Sequence, residues 1–322
     1  MLEVRALPPE PGVLERTART SVGRDGGVAP WASWLRPAVG SVGPVAAPTD
    51  PSPQAARAER FRVLHAPGDP LLMPNAWDVG SAVLFASLGF EAVATTSGGF
   101  AATRGRLYGS MTAQEVLDHV EEMAGAIDVP LSADLENCFA HDPAGVAATV
   151  AEAVRRGAAG CSVEDFTGDP DEPIYELSHA AEWVRAAAEA AHGRAVRAVL
   201  TARAENYLHG RPDPADTIAR LQAYQEAGAD VLFAPRLVDP ADLARLLAEV
   251  DLPVNVLMVP GAPTVGELAR LGVSRISVGG AVALAGYGAA IDAVLELRDR
   301  GTCSYWDLTA VARPAIAAAF NR

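Results

Sequence analysis

Short apolar runs alternate with Ala-rich amphipathic stretches from Ala55 onward, and this alternation constrains the fold more than any other feature. The apolar runs are "PLLMPN" (70–75), "EAVATT" (91–96), "VPLSAD" (129–134), "AGCSVED" (159–165), "RAVLTAR" (197–203), "ADVLFAP" (229–235), "LPVNVLM" (252–258) and "SRISVGG" (274–280). Segments with the period of a helix lie between them, such as "TAQEVLDHVEEMAGAI". Eight strand-helix units predict an α/β chain folded as a closed (β/α)8 TIM barrel over residues 56–301, since an open doubly wound sheet would need fewer repeats.

The two ends of the chain depart from this repeat. Residues 1–55 are rich in Pro, Gly, Ala and Arg without a sustained period, which predicts a disordered extension or an over-called start of the chain. After the barrel, "SYWDLTAVARPAIAAAF" predicts an extra C-terminal helix within residues 302–322. The apolar side chains of Trp306, Ile316 and Phe320 predict that this helix packs on a neighbouring subunit in a homo-oligomer, either a dimer or a tetramer.

Charge and hydropathy argue against several classes of partner. The net charge is −14 and the acids are spread along the helical stretches, so we expect no nucleic-acid partner. No run of eighteen apolar residues is found and the N-terminus lacks an apolar signal core, so we expect neither membrane insertion nor secretion. Cys138, Cys161 and Cys303 are far apart and form no C-x-x-C pair, which favours a reducing, cytoplasmic location and no disulfide framework or zinc site.

All 26 basic residues are arginines, because the chain contains no lysine. A Schiff-base aldolase, a pyridoxal phosphate enzyme and a Walker A phosphate loop each require a lysine amine, so these classes are excluded. Chemistry at a carbonyl group would therefore need a metal ion or hydrogen-bond donors to accept the electron pair.

Acidic side chains stand where two neighbouring predicted strands end, which in a barrel is the edge that carries the active site. Asp134 and Glu136 are two residues apart on extended chain and point the same way, so their charges repel unless a cation or a proton lies between them. Together with Glu164 they could supply oxygens to an octahedral Mg²⁺, with Mn²⁺ as an alternative and a 2-oxo acid completing the shell. The competing interpretation is a structural ion network with Arg203 and neighbouring arginines.

Other strand-end residues suit the binding of a carboxylate. Arg203 fits bidentate capture of a substrate carboxylate, although it could instead neutralise Glu164 or Glu205. The "TTSGG" turn offers backbone N–H groups that could stabilise an oxyanion, at Ser97, Gly98 and Gly99.

Asn255 and the histidines complete the set of candidates. Asn255 ends the seventh apolar run, and His209 lies in a loop where it could take part in proton transfer or simply be solvated. The other histidines are predicted to be surface residues: His65, His119, His141, His179 and His192. Cys161, within the fourth run, is predicted to be a small core residue.

Several segments, taken in order, resemble the isocitrate lyase and phosphoenolpyruvate mutase superfamily, most closely its phosphonomutase-like branch. These segments are "LLMPNAWDVGSAVLFASLGFEAVATTSGG", "LSADLEN", "SVEDF", "TARAENYLHGRPD", "DTIARLQAYQEAGADVLFAP" and "VNVLMVPGAPTVGELARLGVSRISVGG". The resemblance runs from about Phe61 to Arg298. It implies a (β/α)8 barrel, Mg²⁺ at the strand ends, a terminal helix exchanged between subunits, and C–C or P–C bond chemistry through a pyruvate-like enolate held on the metal.

The resemblance also implies roles for individual residues. It matches the metal shell with Asp134, Glu136 and Glu164, and the substrate site with Ser97, Gly98, Arg203 and Asn255. On this basis the catalytic set is Arg203, Ser97, Gly98 and Glu164, and the substrate-binding set is Ser97, Gly98, Gly99, Arg203, Asn255 and His209.

The chain departs from the superfamily pattern in three loops. The C–C lyases carry a K-(K/R)-C-G-H motif after strand four, whose cysteine serves in proton transfer, whereas "EDFTGDPDEPIYEL" here contains no Lys, Cys or His. Relatives place an acid where Tyr108 stands, and "ENCFA" replaces E-N-G-Y-G. A phosphonate substrate would have to use Arg104 or Arg106 as donors, because lysine is absent.

These observations favour a Mg²⁺-dependent, lyase-type enzyme that cleaves or forms a C–C or P–C bond in a small 2-oxo or 2-hydroxy carboxylate. One alternative is an activity of the phosphoenolpyruvate mutase or phosphonopyruvate hydrolase type. Another is a barrel that has lost catalysis and acts as a binding protein, which Tyr108 and the altered "ENCFA" loop support. The retained acids and Arg203 argue for the enzyme.

Overall fold

A computed structural model describes residues 52–193 and 195–321, over which strands and helices alternate. The strands are β1 (Leu71–Met73), β2 (Asn75–Ala76), β3 (Val93–Thr95), β4 (Leu131–Asp134), β5 (Gly160–Glu164), β6 (Val199–Arg203), β7 (Val231–Phe233), β8 (Val254–Leu257) and β9 (Arg275–Ser277). The helices are α1 (Pro53–Val63), α2 (Val79–Ser87), α3 (Ser97–Thr103), α4 (Ala113–Ala126), α5 (Pro143–Arg155), α6 (Leu177–His192), α7 (Pro214–Ala227), α8 (Pro240–Glu249), α9 (Val265–Leu271), α10 (Ala281–Arg300) and α11 (Trp306–Phe320). The prediction for residues 1–55 lies, up to residue 51, outside the described residues.

The strands form one parallel sheet that closes on itself. Its order is β1-β9-β8-β7-β6-β5-β4-β3-β2. Segments β1 and β2 are the two halves of one strand, which is interrupted at Pro74 because proline has no N–H to donate. Because β1 pairs with β9 while β2 pairs with β3, the two ends of this order meet. The (β/α)8 barrel is therefore confirmed, and the split first strand explains why there are nine segments.

Local side-chain chemistry fixes where the helices begin and end. Asp78 accepts a hydrogen bond from the Ser81 N–H at 2.7 Å and donates its own N–H to Ser81 Oγ at 3.1 Å, a capping box that starts α2. Helix α7 ends at Gly228, whose φ of 105° lies in the left-handed region that favours glycine. Turns of this kind bring the carboxyl ends of all the strands to one edge of the barrel.

Helix α1 packs against one end of the barrel. Phe61 is fully buried in a cluster with apolar side chains near the starts of the strands. A Cβ atom at Gly160 would lie 2.6 Å from the Phe61 ring and 2.8 Å from the Val199 carbonyl oxygen, so β5 can hold only glycine there. The core thus includes α1, and Cys161 beside Gly160 is buried as predicted.

Two histidines that were predicted to lie on the surface are buried. His65 and His119 are 8% and 6% exposed. His119 shares the inner face of α4 with Val116 and Met123, and it stacks on Phe100 with ring centroids 3.9 Å apart. The prediction was wrong because it assigned the histidines by polarity and ignored their position in the apolar helical period.

Burial of His119 makes the stability of the fold dependent on acid. Burial lowers the pKa of His119 from 6.5 to about 4. The stability that a neutral, buried histidine contributes is complete above its pKa in the unfolded protein and is lost as the pH falls through its pKa in the folded protein. We expect the free energy of unfolding to fall between pH 6.5 and 4 by up to ~3 kcal/mol from this group. His119→Phe, which keeps the stacking, should flatten that part of the curve in urea unfolding measured at several pH values. An identical slope in the variant would contradict the assignment.

The last two helices carry the largest exposed apolar surface. Helix α11 packs on α2 through buried Ala319, which confirms the extra C-terminal helix. The exposed apolar side chains of α10 and α11 include Leu284, Ile291, Val294, Leu297, Trp306, Leu308, Val311, Ile316 and Phe320. None of the described helices has the length and apolar character needed to cross a membrane.

Candidate active site

A cavity of about 270 Å³ opens at the edge where the strands end. Its wall includes residues at the ends of strands β3 to β9 and of the split first strand. Among the predicted site residues, the wall contains Ser97, Gly98, Asp134, Arg203 and Asn255. The structure thus brings together residues that are up to 158 positions apart in the sequence, as expected for strand ends that meet at one edge of a barrel.

Arg203 is the electrostatic centre of this edge. Its guanidinium lies 2.9 Å from Asp134 Oδ1, 2.9 Å from Glu164 Oε2 and 2.8 Å from Glu205 Oε1. Burial by itself would lower the pKa of Arg203, but Glu205, Glu164 and Asp134 outweigh that effect and raise it well above its ordinary value. The arginine therefore carries a permanent positive charge at the base of the cavity mouth.

Ser97 connects the turn after β3 to Asp134 by hydrogen bonds. Its backbone N–H and its hydroxyl both donate to Asp134 Oδ2, at 3.1 and 2.9 Å. A Cβ atom at Gly99 would lie 2.6 Å from the Thr96 side chain and 2.9 Å from the Trp77 Cβ, so glycine is required, whereas Gly98 faces open space. The Ser97 N–H is thus engaged by the protein itself, and Gly98 is the part of the turn that lines the cavity.

Glu136 is a buried acid without a partner on one oxygen. Its backbone has a φ of 50°, a strained value for a non-glycine residue, and within the described residues its Oε1 makes no hydrogen bond. Burial, together with the charge of Asp134, raises the pKa of Glu136 to about 7. The strain continues at Cys138 and Phe139, with φ values of 63° and 55°, so the altered "ENCFA" loop has an unusual backbone at the edge of the site.

Tyr108 contacts the third acid directly. Its hydroxyl lines the cavity and donates to Glu164 Oε1 at 2.7 Å. Burial raises the pKa of Glu164 well above 4.5, and burial with the Glu164 charge raises the pKa of Tyr108 above 10. From the sequence, Tyr108 was interpreted as the loss of an acid that the superfamily pattern has at this position. The structure shows that Tyr108 instead forms a hydrogen-bonded pair with Glu164.

The acids at this edge outnumber the cations. Asp134, Glu136, Glu164 and Glu205 face a single guanidinium, and Glu205 Oε2 makes no hydrogen bond within the described part of the chain. Such an excess of buried negative charge requires protons or an added cation. In this arrangement Asp134 and the unpaired oxygen of Glu136 fit a hard divalent cation, because Mg²⁺ commonly takes one or two carboxylates and keeps several waters.

The residues that the structure describes contain no ready-made metal site with three protein ligands. Over residues 52–193 and 195–321, no three His, Cys, Asp or Glu side chains converge as metal ligands. Glu164 is held by Tyr108 and Arg203, away from a shared position with the other two acids. The three-acid metal set therefore stays a prediction.

The remaining candidates lie in different surroundings. Asn255 is 2% exposed, lines the cavity and donates to Ser277 Oγ at 2.9 Å. His209 stacks on Phe166 with centroids 4.0 Å apart, and its Nε2 lies 3.8 Å from Glu205 Oε2. Burial lowers the pKa of His209. Its neighbour Leu208 lines the cavity, whereas His209 itself is not part of the wall.

The arginines considered for a phosphonate lie outside the cavity. Arg106 forms an exposed ion pair with Glu115 at 3.0 Å, and Arg104 lies over the Phe100 ring. Neither contributes to the cavity wall.

Sequence reasoning missed two residues that shape the site. Asn75 accepts hydrogen bonds from the N–H groups of Val278 and Gly279, at 3.1 and 2.9 Å, and so joins the split first strand to the end of β9. Arg275 was likewise not among the candidates, and Glu205 was considered only as an alternative partner of Arg203. The available signal was the position of each residue in or directly after an apolar run, which does not distinguish an inward side chain from an outward one.

Comparison with known proteins agrees with this architecture. The sequence profile of the phosphoenolpyruvate phosphomutase family matches residues 61–298. A crystal structure from Burkholderia cenocepacia J2315, provisionally assigned as a lyase/mutase, is 47% identical, has a TM-score of 0.76, and the match covers 79% of this chain and 91% of that one. An uncharacterised Mycobacterium tuberculosis protein is 33% identical over 240 residues, 74% of this chain and 89% of the other. The 2-methylisocitrate lyase of Bacillus subtilis is 29% identical over 213 residues, 63% of this chain and 67% of the lyase.

A closed (β/α)8 barrel with an arginine-centred, carboxylate-lined cavity at its strand ends defines a barrel enzyme that handles small ligands. The chain belongs to the isocitrate lyase and phosphoenolpyruvate mutase superfamily, and it is a lyase-type or phosphonomutase-like enzyme of that superfamily.

Proposed function

We propose that this protein is a Mg²⁺-dependent lyase that acts on a small 2-oxo or 2-hydroxy carboxylate. The observation that carries the proposal is the group formed by Arg203, Asp134 and Ser97 at the cavity mouth, next to the unpaired oxygen of Glu136. A cationic fork and a cluster of hard oxygen ligands in one buried mouth suit the joint binding of a carboxylate and a divalent cation. Mg²⁺ would supply the positive charge that stabilises negative charge developing on the substrate.

The chemistry follows from the position of these groups. In a 2-oxo acid, the bond between C3 and C4 breaks and its electron pair moves through C2 to the 2-oxo oxygen as an enolate. Carbon C4 leaves as CO₂ when it belongs to a carboxylate, or as a carbonyl carbon when its hydroxyl group gives up its proton to solvent. Carbon C3 then takes up a proton. Arg203 orients the substrate carboxylate, and Tyr108, with Glu164 behind it, is the hydroxyl in the cavity wall that can exchange that proton.

The superfamily offers a mutase or a hydrolase as the main competing activities. The two arginines considered for a phosphonate, Arg104 and Arg106, lie outside the cavity. The reaction on a carboxylate uses Arg203, which lines the cavity, so we favour the lyase-type reaction.

Calorimetric titration with Mg²⁺ and oxalate tests the proposal, because oxalate presents the two adjacent oxygens of an enolpyruvate. Wild type should bind oxalate only with Mg²⁺, and Asp134→Ala should lose that binding because it removes a carboxylate that Arg203 and Ser97 hold in place. Asp142→Ala, which removes an exposed helix-capping acid of α5, is the matched control and should bind as wild type does. If wild type binds no oxalate with Mg²⁺ present, the acids are structural and the binding-protein alternative takes the place of the enzyme.

We also infer a homo-oligomer assembled through the apolar surface of α10 and α11. Large apolar patches exposed on one chain mark surfaces that pack on another. Removal of residues 302–322 is expected to give monomer or aggregate in light scattering coupled to gel filtration. An oligomer mass reduced only by the missing residues would contradict this role.

A further inference from the structure

The inner wall of the barrel below Arg203 is polar and leaves space. Barrels of this class are usually filled by bulky branched side chains. Here the cavity extends inward past Arg203 to Met73 and Arg275. The inner wall carries small polar side chains at Asn75, Ser132, Ser162 and Ser277. The cavity is therefore deeper than a site for a single carboxylate at the mouth requires.

Arg275 lies at the inner end of this cavity with neutral partners only. It is 2% exposed, and its guanidinium donates to Asn255 Oδ1 at 3.0 Å and to Thr201 Oγ1 at 2.9 Å. Its third contact is His65 Nε2 at 3.1 Å, and burial lowers the pKa of His65 to about 3, so that ring is neutral. In the described part of the chain no carboxylate forms an ion pair with Arg275, in contrast to Arg203.

A buried cation without a counter-charge is costly, so Arg275 needs an explanation. Burial lowers the pKa of Arg275 to about 9, which leaves the guanidinium charged at neutral pH. A charge that is retained in a cavity open to small solutes attracts an anion from solution. Serine hydroxyls and asparagine amides nearby can complete the hydrogen bonds of such an anion.

We propose that Arg275 forms an anion subsite inside the barrel, which binds the second carboxylate of a short dicarboxylate whose first carboxylate is held at Arg203. The spacing supports this assignment: Arg275 donates to Thr201, and Thr201 and Arg203 lie two residues apart on β6 with side chains on the same face, about 7 Å along the strand. Both arginines line the same cavity, and Arg275 is the first residue of β9. The proposal of this subsite rests on the proposed function, in which the first carboxylate binds at Arg203. It adds that the site selects substrates with two carboxylates.

The test compares ligands that differ only in the second carboxylate. With Mg²⁺ present, wild type should bind malate about 10- to 100-fold more tightly than lactate, since one charge-assisted contact in a buried site has that effect. In Arg275→Met, malate affinity should fall to that of lactate, while oxalate affinity stays within about threefold. Arg270→Met, which removes the same charge from the partly exposed helix α9, is the matched control and should keep the malate preference.

If Arg275→Met does not fold, a comparison of ligands on the wild-type protein still tests the proposal. Malamate, in which an amide replaces the distal carboxylate, should bind wild type no better than lactate. If malate does not exceed lactate and malamate in wild type, or if Arg275→Met keeps the malate preference, the subsite is wrong. A buffer anion held permanently on Arg275 would also abolish the preference and count against it.

The oxalate measurement distinguishes the two proposals. If oxalate binds wild type with Mg²⁺ but malate shows no preference, only the Arg275 subsite fails. If oxalate does not bind and malate also shows no preference, the proposed function fails and the subsite fails with it. A malate preference that disappears in Arg275→Met supports the subsite.

Discussion

Replacement of Arg203 by methionine is expected to abolish Mg²⁺-dependent oxalate binding and to lower the free energy of unfolding near pH 7 by about 3–5 kcal/mol. Arg203 is the cation shared by Asp134, Glu164 and Glu205, which are all largely buried. Its removal leaves these acids without a counter-charge and deprives a substrate carboxylate of its bidentate partner. Calorimetry with oxalate and urea unfolding measure the two effects separately.

The stability loss should depend on pH in a defined direction. Burial raises the pKa of Glu164 and of Glu205 above the ordinary 4.5 even with Arg203 present, and loss of the guanidinium raises both further. An acid with a raised folded pKa contributes stability that is complete below its unfolded pKa and is lost as the pH rises through the folded value. The variant should therefore be closest to wild type near pH 4.5 and furthest from it above neutrality.

Two variants separate the roles of Arg203. Arg203→Lys keeps the charge but lacks the planar fork, so it should recover part of the stability without recovering oxalate binding. Arg156 also contacts three acids, Asp118, Glu121 and Glu152, but on the outer surface of α4 and α5. Arg156→Met should lose little stability, because exposed ion pairs contribute little, and should leave oxalate binding unchanged. Oxalate affinity in Arg203→Met within a few-fold of wild type would show that Arg203 is only a structural counter-ion.

Replacement of Tyr108 by phenylalanine is expected to slow proton exchange at C3 of pyruvate by about 10²- to 10⁴-fold and to leave oxalate affinity within about threefold. Tyr108 is the hydroxyl that both lines the cavity and donates to Glu164, so it is placed to move a proton to or from an enolate. Exchange of the pyruvate methyl protons with deuterium, followed by NMR with Mg²⁺ present, reports this step before the natural substrate is known.

A second tyrosine-carboxylate pair provides the control for Tyr108. Tyr224 is fully buried and donates to Asp165 Oδ2 at 2.6 Å, away from the cavity wall. Tyr224→Phe should lose stability by about 1–3 kcal/mol, as removal of a hydrogen bond from a buried acid does, without a specific loss of exchange in the folded protein. Equal exchange rates in wild type and Tyr108→Phe would exclude Tyr108 from proton transfer.

Much of the fold was predictable because it depends on local patterns. The alternation of apolar runs with helical segments predicted the closed barrel, and the apolar pattern of the last segment predicted the extra helix; the structure confirms both. The split of the first strand at Pro74 and the burial of His119 were not predicted. Both depend on which face of a segment meets the core, and a single polar residue inside an apolar period does not reveal that face.

The candidate site was only partly predictable. The rule that barrel enzymes use the carboxyl ends of strands brought Asp134, Ser97, Arg203 and Asn255 correctly into one cavity. The same rule placed Glu136 and Glu164 nearby, but it could not assign their partners. Those partners are set by side-chain directions across the barrel, which no periodicity encodes.

The sequence by itself determined the superfamily, the barrel and the absence of lysine chemistry, because these depend on composition, order and period. Only the tertiary structure decided that Arg203 is shared among three acids, that Tyr108 holds Glu164, and that Arg275 lies in the barrel interior with no acid of the described residues paired to it. Arg203 and Arg275 both lie within predicted strands, and nothing in the sequence around them distinguishes their environments. Their environments differ because the closed sheet brings strands far apart in the chain into contact, and those neighbours fix the charge that each guanidinium meets.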